Sequence, residues 1–121
     1  MAFRNWEQNT LFFYNILREI FENQGLTVAY NPETHDGSLP YAWVDQLNAE
    51  RRQISRRGTR QGDVYDYSAT VHIFYPWNRQ GDLIRAIDAF DDELNKRFRT
   101  DTEFRLLREK DGTLHGLLNL T

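Results

Sequence analysis

The sequence predicts an α+β domain, a mainly antiparallel sheet with two helices packed on one face and a long Arg-rich loop or hairpin extension. Three observations carry this expectation. Two stretches, one near the start and one after residue 81, repeat apolar residues at helical spacing. Between them, Val64 to Tyr75 alternates an apolar and aromatic face with a mostly polar one. After the second helical stretch, two strand-like segments flank Asp111-Gly112, a dipeptide that favours hairpin turns.

The first helix is expected from Trp6 to Gln24. Phe13, Ile16, Leu17, Ile20 and Gln24 form its stripe, and Glu7, Arg18, Glu19 and Glu22 mark the wet side. Gly25 is placed to end it in a left-handed C-cap. Leu26 to Tyr30 then reads as a short strand stopped by Asn31-Pro32, with turn material from Glu33 to Pro40. Tyr41 to Leu47 reads as the second strand, with Tyr41, Trp43, Asp45 and Leu47 on one face.

Asn48 to Gly62 has no useful period and is expected to be a long loop or the mobile tip of a hairpin. Val64 to Tyr75 is the clearest strand. Tyr65, Tyr67, Ala69, Val71, Ile73 and Tyr75 share one face, and Asp66, Ser68, Thr70, His72 and Phe74 share the other. Pro76 ends it. Asp82 is the expected N-cap of the second helix, whose stripe is Leu83, Ile87, Phe90, Leu94 and Phe98. Glu103 to Lys110 and Thr113 to Leu120 form the closing hairpin. The repeated Arg-Gln-Gly-Asp at residues 60–63 and 79–82 precedes a strand once and a helix once, and reads as two similar turns.

The 121 residues fit one domain spanning 1–121. There is no cysteine, which excludes disulfides, thiolate metal sites and a cysteine nucleophile. No apolar run approaches the roughly 18 residues that a membrane span needs, and Met1 to Trp6 lacks the layout of a signal peptide. The net charge of −3 gives no bulk attraction to nucleic acid. Thirteen of the fifteen basic residues are arginine, the cation favoured at interfaces. Aromatic residues at 14% add large contact surfaces.

No catalytic constellation is visible. The P-loop, dinucleotide fingerprint and nucleophile-elbow patterns are missing, so the expectation is a protein that is not an enzyme and needs no cofactor. His35, His72 and His115 match no metal-ligand spacing, and each reads as a surface or interface residue. The feature above background is Arg51, Arg52, Arg56, Arg57 and Arg60, set against one acid, Glu50. Such a cluster is a solvated loop, a partner for an acidic surface or a loose contact for DNA phosphates. Asp88, Asp91, Asp92 and Glu93 on the second helix offer an acidic partner surface, which between identical subunits would fix the register of a ring.

The order of elements resembles the tail terminator proteins of long-tailed bacteriophages, also called tail completion or tail-to-head joining proteins. The resemblance covers most of the chain. It rests on the N-terminal helix, on LPYAWVDQL from Leu39 to Leu47 and on YDYSATVHIFYPW from Tyr65 to Trp77. It continues through GDLIRAIDAFDDEL from Gly81 to Leu94 and the closing GTLHGLLNL strand. It implies an α+β subunit of a hexameric ring that caps the tail tube, ends its polymerisation and docks to a head-completion or connector protein. The implied location is the tail neck of the virion, after assembly in the host cytoplasm, with transient contact to passing DNA and no membrane partner. Two other expectations stay open: a different neck component such as a head–tail stopper, and a small nucleic-acid-binding module that uses the Arg-rich loop.

Overall fold

A computed structural model describes residues 6–29, 37–53, 63–98 and 100–121. Its elements run α1 (Trp6–Asn23), β1 (Thr27–Ala29), β2 (Tyr41–Gln53), β3 (Asp63–Tyr75), α2 (Gln80–Asn95), β4 (Thr102–Arg108) and β5 (Leu114–Leu120). The five strands form one sheet in the order β1-β2-β3-β5-β4. Only β1 and β2 run parallel; β2–β3, β3–β5 and β4–β5 are antiparallel. The fold is α+β with a mainly antiparallel sheet.

The apolar stripe of α1 is what folds it, because helix packing rather than propensity stabilises most protein helices. Phe13, Ile16, Leu17, Ile20 and Phe21 are buried. Gln24, the polar member of the stripe, turns its amide to donate to the Ala86 carbonyl oxygen of α2 at 2.9 Å. The helix ends as its sequence requires. Gly25 takes φ 82°, its N–H donates to the Glu22 carbonyl, and the Leu26 N–H donates to the Phe21 carbonyl. That pair of bonds is a Schellman ending, and it satisfies two carbonyls that the helix leaves open.

One core cluster joins the two helices to β2, β3 and β5. Phe21 of α1 stacks on Phe90 of α2 at 4.3 Å, and Phe13 stacks on Tyr67 of β3 at 4.6 Å. Ala69, Val71, Ile73 and Tyr75 point into this core, as do Leu114, Leu118 and Leu120. Gly116 leaves room for α2: a Cβ there would lie 3.2 Å from Ile87 and 3.3 Å from Leu83. Among the described residues, no buried side-chain nitrogen or oxygen lacks a hydrogen-bond partner.

Four local expectations are corrected. First, β2 continues to Gln53, so Arg51 and Arg52 lie on a strand, opposite Tyr65 and Val64. The reason is visible in the pairing. β5 accompanies β3 only as far as Ala69, so beyond it β2 and β3 run on as a two-stranded arm. Among the described residues no third strand demands apolar alternation there, and backbone pairing persists through a charged sequence. Second, a bulge between Val44 and Gln46 interrupts the alternation of β2. Trp43 therefore sits across from His72, while Leu47 sits across from Ala69 on the core side.

Third, α2 begins at Gln80 and Arg79 holds the N-cap position without a side-chain cap. Asp82 lies inside the first turn, where it accepts hydrogen bonds from Arg79 and Arg85. These guanidinium bonds hold its carboxyl below the usual range. A carboxylate in the first turn favours the helix through its dipole rather than by capping. Fourth, the closing hairpin is longer than two residues. The Gly112 N–H donates to the Glu109 carbonyl, the Glu109 N–H donates to the Thr113 carbonyl, and Gly112 has φ 92°. This is a three-residue turn that ends in a left-handed glycine.

Candidate functional site

The face of the sheet opposite the core is lined by rings. Strand alternation puts His72 and Phe74 on this side of β3, and the register brings Trp43 and Tyr41 of β2 beside them. Phe74 also faces His115 of β5. Tyr41 stacks on Phe74 at 4.7 Å, Phe74 on His115 at 4.5 Å, and Trp43 on His72 at 4.8 Å. Cross-strand aromatic pairs of this kind stabilise a sheet.

Within this layer four polar side chains form a continuous chain. Asp45 Oδ2 lies 3.1 Å from His72 Nε2. His72 Nδ1 lies 2.6 Å from His115 Nε2, and His115 Nδ1 lies 2.8 Å from Glu109 Oε1. Each link comes from a different part of the fold: the bulge of β2, the middle of β3, the start of β5 and the β4–β5 turn. Both imidazole side chains are only 13% exposed, whereas the two carboxylates reach solvent. Burial pushes the His115 imidazole pKa down; the Glu109 hydrogen bond opposes this, and the nearby His72 adds to it. Glu109 and Tyr41 also border an open cleft of about 620 Å³, with Leu39 and Phe74 in its wall.

This group was not legible as a site in the sequence. His72 and His115 lie 43 positions apart, and only the β3–β5 register brings them together. The available signal was that both histidines stand on strands beside aromatic residues. Among the described residues, no group of three or more His, Cys, Asp or Glu side chains is disposed to hold a metal ion.

The residues expected to form contacts are dispersed. Arg51 and Arg52 stand near the end of the β2–β3 arm, while Arg56, Arg57 and Arg60 lie outside the described residues. The acids of α2 divide between two grooves. Asp88 and Asp91 face β4 beside Thr102 and Phe104, and the Thr102 hydroxyl donates to Asp91 at 2.8 Å. Asp92 and Glu93 face α1, and Lys96 pairs with Glu93 at 2.8 Å. Lys96 holds the Glu93 carboxyl below its ordinary range. The acids expected to form one surface therefore stand on two flanks of one helix, and one flank is partly neutralised within the subunit.

The edge of the sheet is the other notable surface. β4 pairs only with β5 among the described strands, so its far side carries unpaired backbone groups. Phe104, Leu106 and Leu107 on this strand are exposed, and Ile84 of α2 is exposed as well. No helix among the described residues is long and apolar enough to cross a membrane.

No protein-family model matches this chain, and no curated protein matches it in sequence.

Proposed function

We propose that this chain is a structural subunit that assembles with copies of itself into a ring. The ring caps the tail tube of a long-tailed bacteriophage, ends its polymerisation and joins the tail to the head connector. The observation that carries the assembly reading is β4. An edge strand with three exposed large apolar residues is a template for another chain, and proteins that stay monomeric blunt such edges. Glu103, Arg105 and Arg108 on the same strand limit non-specific pairing and leave a charged pattern that a specific neighbour would match. The phage assignment rests on the resemblance of the strand and helix segments from Leu39 to Leu94 and of the closing strand.

In this reading the protein acts through surfaces and has no catalytic role, cofactor or membrane partner. Its location is the tail neck of the virion, after assembly in host cytoplasm. Its partners are identical subunits in a hexameric ring, the tail tube protein and a head-completion or connector protein. The β2–β3 arm carries arginines to a neighbouring subunit or to the lumen, where phosphate contacts with passing DNA would be loose and salt-sensitive.

The test is assembly with purified tail tube protein, scored by electron microscopy as capped tubes of regulated length. Wild type should cap tubes. Ile84→Lys combined with Leu106→Lys should stay folded and lose capping, because both positions are exposed in the subunit. Uncapped, unregulated tubes with wild-type protein would remove the tail-terminator assignment. Normal capping by the double variant would remove β4 from the interface.

A further inference from the structure

We propose that His72 and His115 form a single-proton site: one proton is held between His72 Nδ1 and His115 Nε2, and Asp45 and Glu109 terminate the chain on either side. Three contacts link the four groups: Asp45 to His72, His72 to His115, and His115 to Glu109. Each contact requires one proton between its two heavy atoms. Two neutral imidazoles bring two protons, one on each ring. If those protons face the carboxylates, two nitrogen lone pairs confront each other at 2.6 Å. One additional proton relieves that contact, and the imidazole pair then carries a single positive charge.

The geometry suits a proton. The ring centres are 4.8 Å apart and the facing nitrogens 2.6 Å apart. The difference is close to two ring radii, so both nitrogens lie near the line joining the ring centres. The rings are inclined by only 28°. A straight, short N–H···N bond has this shape. A tetrahedral cation such as zinc instead holds its nitrogens at an angle and, at about 2.0–2.1 Å from each, keeps them farther apart. The carboxylates behind the rings fix which nitrogen of each ring faces inward. They also offset the cost of one partly buried positive charge.

A second added proton would set two N–H groups against each other, and loss of the first would leave two lone pairs. The chain therefore holds β2, β3, β5 and the β4–β5 turn together most firmly in the singly protonated state. Asp45 and Glu109 contact the pair, and the titratable and charged residues placed on the same face of the sheet by the register include Tyr41 of β2 and the Glu103–Arg105 pair of β4. Lys110 and Asp111 of the turn border the same cleft as Glu109.

The direct test is NMR of the full chain with nitrogen-15 in the histidine rings, in metal-free buffer near neutral pH. The expected result is a far-downfield proton correlated with His72 Nδ1 and His115 Nε2, with a scalar coupling between the two nitrogens. That coupling should vanish on acidification and on alkalinisation. Asp45→Asn keeps an acceptor oxygen but removes a charge, so it should shift the loss of the bridging proton to lower pH. Two independent single-proton titrations without internitrogen coupling in the wild type would overturn the proposal, and this measurement needs no variant to fold. Uptake of one Zn²⁺ per chain in place of the bridging signal, at stoichiometric metal, would assign the pair to a cation and also overturn it.

Discussion

At Gly116 the absence of a side chain decides how closely α2 approaches the sheet. A Cβ would lie 3.2–3.3 Å from Ile87, Leu83 and Phe104, closer than ordinary packing allows. Gly116→Val should therefore destabilise the domain by about 1–3 kcal/mol through overpacking, read as a lower thermal midpoint. An unchanged midpoint would mean that the helix shifts without cost. His115 makes a second prediction at this scale. Burial lowers its pKa below the ordinary 6.5, so the unfolded chain takes up this proton before the folded chain does. Uptake of a further proton by the pair is thereby disfavoured in the folded chain, and the stability this contributes is lost as pH falls below 6.5 towards the folded-state value. Urea midpoints should decline on acidification from about pH 6.5, and His115→Phe should lose that part of the decline. A midpoint that is flat in wild type from neutral to mildly acidic pH would contradict the assignment.

Among the elements, α2 is held by a stripe that does not tolerate truncation. Phe90 is fully buried and stacks on Phe21, which ties α2 to α1. Phe90→Ala should cost about 3–5 kcal/mol, since it removes the ring and leaves a cavity. Denaturant unfolding measures this, and a loss below 1 kcal/mol would show that the helix pair closes over the gap. The arm formed by β2 and β3 behaves differently. Beyond Ala69 no third described strand pairs with it, so its amides should exchange faster than those of Val71 and Ile73. Hydrogen exchange of the isolated chain checks this, and equal protection along β3 would indicate a covering element.

For the whole molecule, the proposed ring makes the arginine cluster a matter of assembly rather than of folding. Replacing Arg51, Arg52, Arg56 and Arg57 together with Ser should leave the subunit folded and weaken ring formation or tail–head joining. Surface changes away from special features rarely cost much, so a normal melting curve beside failed assembly is the expected pair of results. Infectious particles and capped tails at wild-type level would reduce the cluster to a solvated extension.

The helices, the central strand and the closing hairpin are legible in the sequence, because their periods report which side of each element is apolar. Leu83, Ile87, Phe90 and Leu94 could be read as a buried stripe, and Ala69, Val71 and Ile73 as one strand face, before any contact was known. Gly25 announced the end of α1 for an equally local reason, its freedom at positive φ. The length of β2 depends on tertiary pairing, because the polar and charged residues from Asn48 to Gln53 are held in a strand by β3 rather than by their own pattern. So does the bulge that sends Leu47 to the core side. The Asp45–His72–His115–Glu109 chain depends on strand register, a non-local property to which a one-residue slip would be fatal. Its four members are ordinary residues in the sequence, and their chemistry exists only where the strands place them side by side.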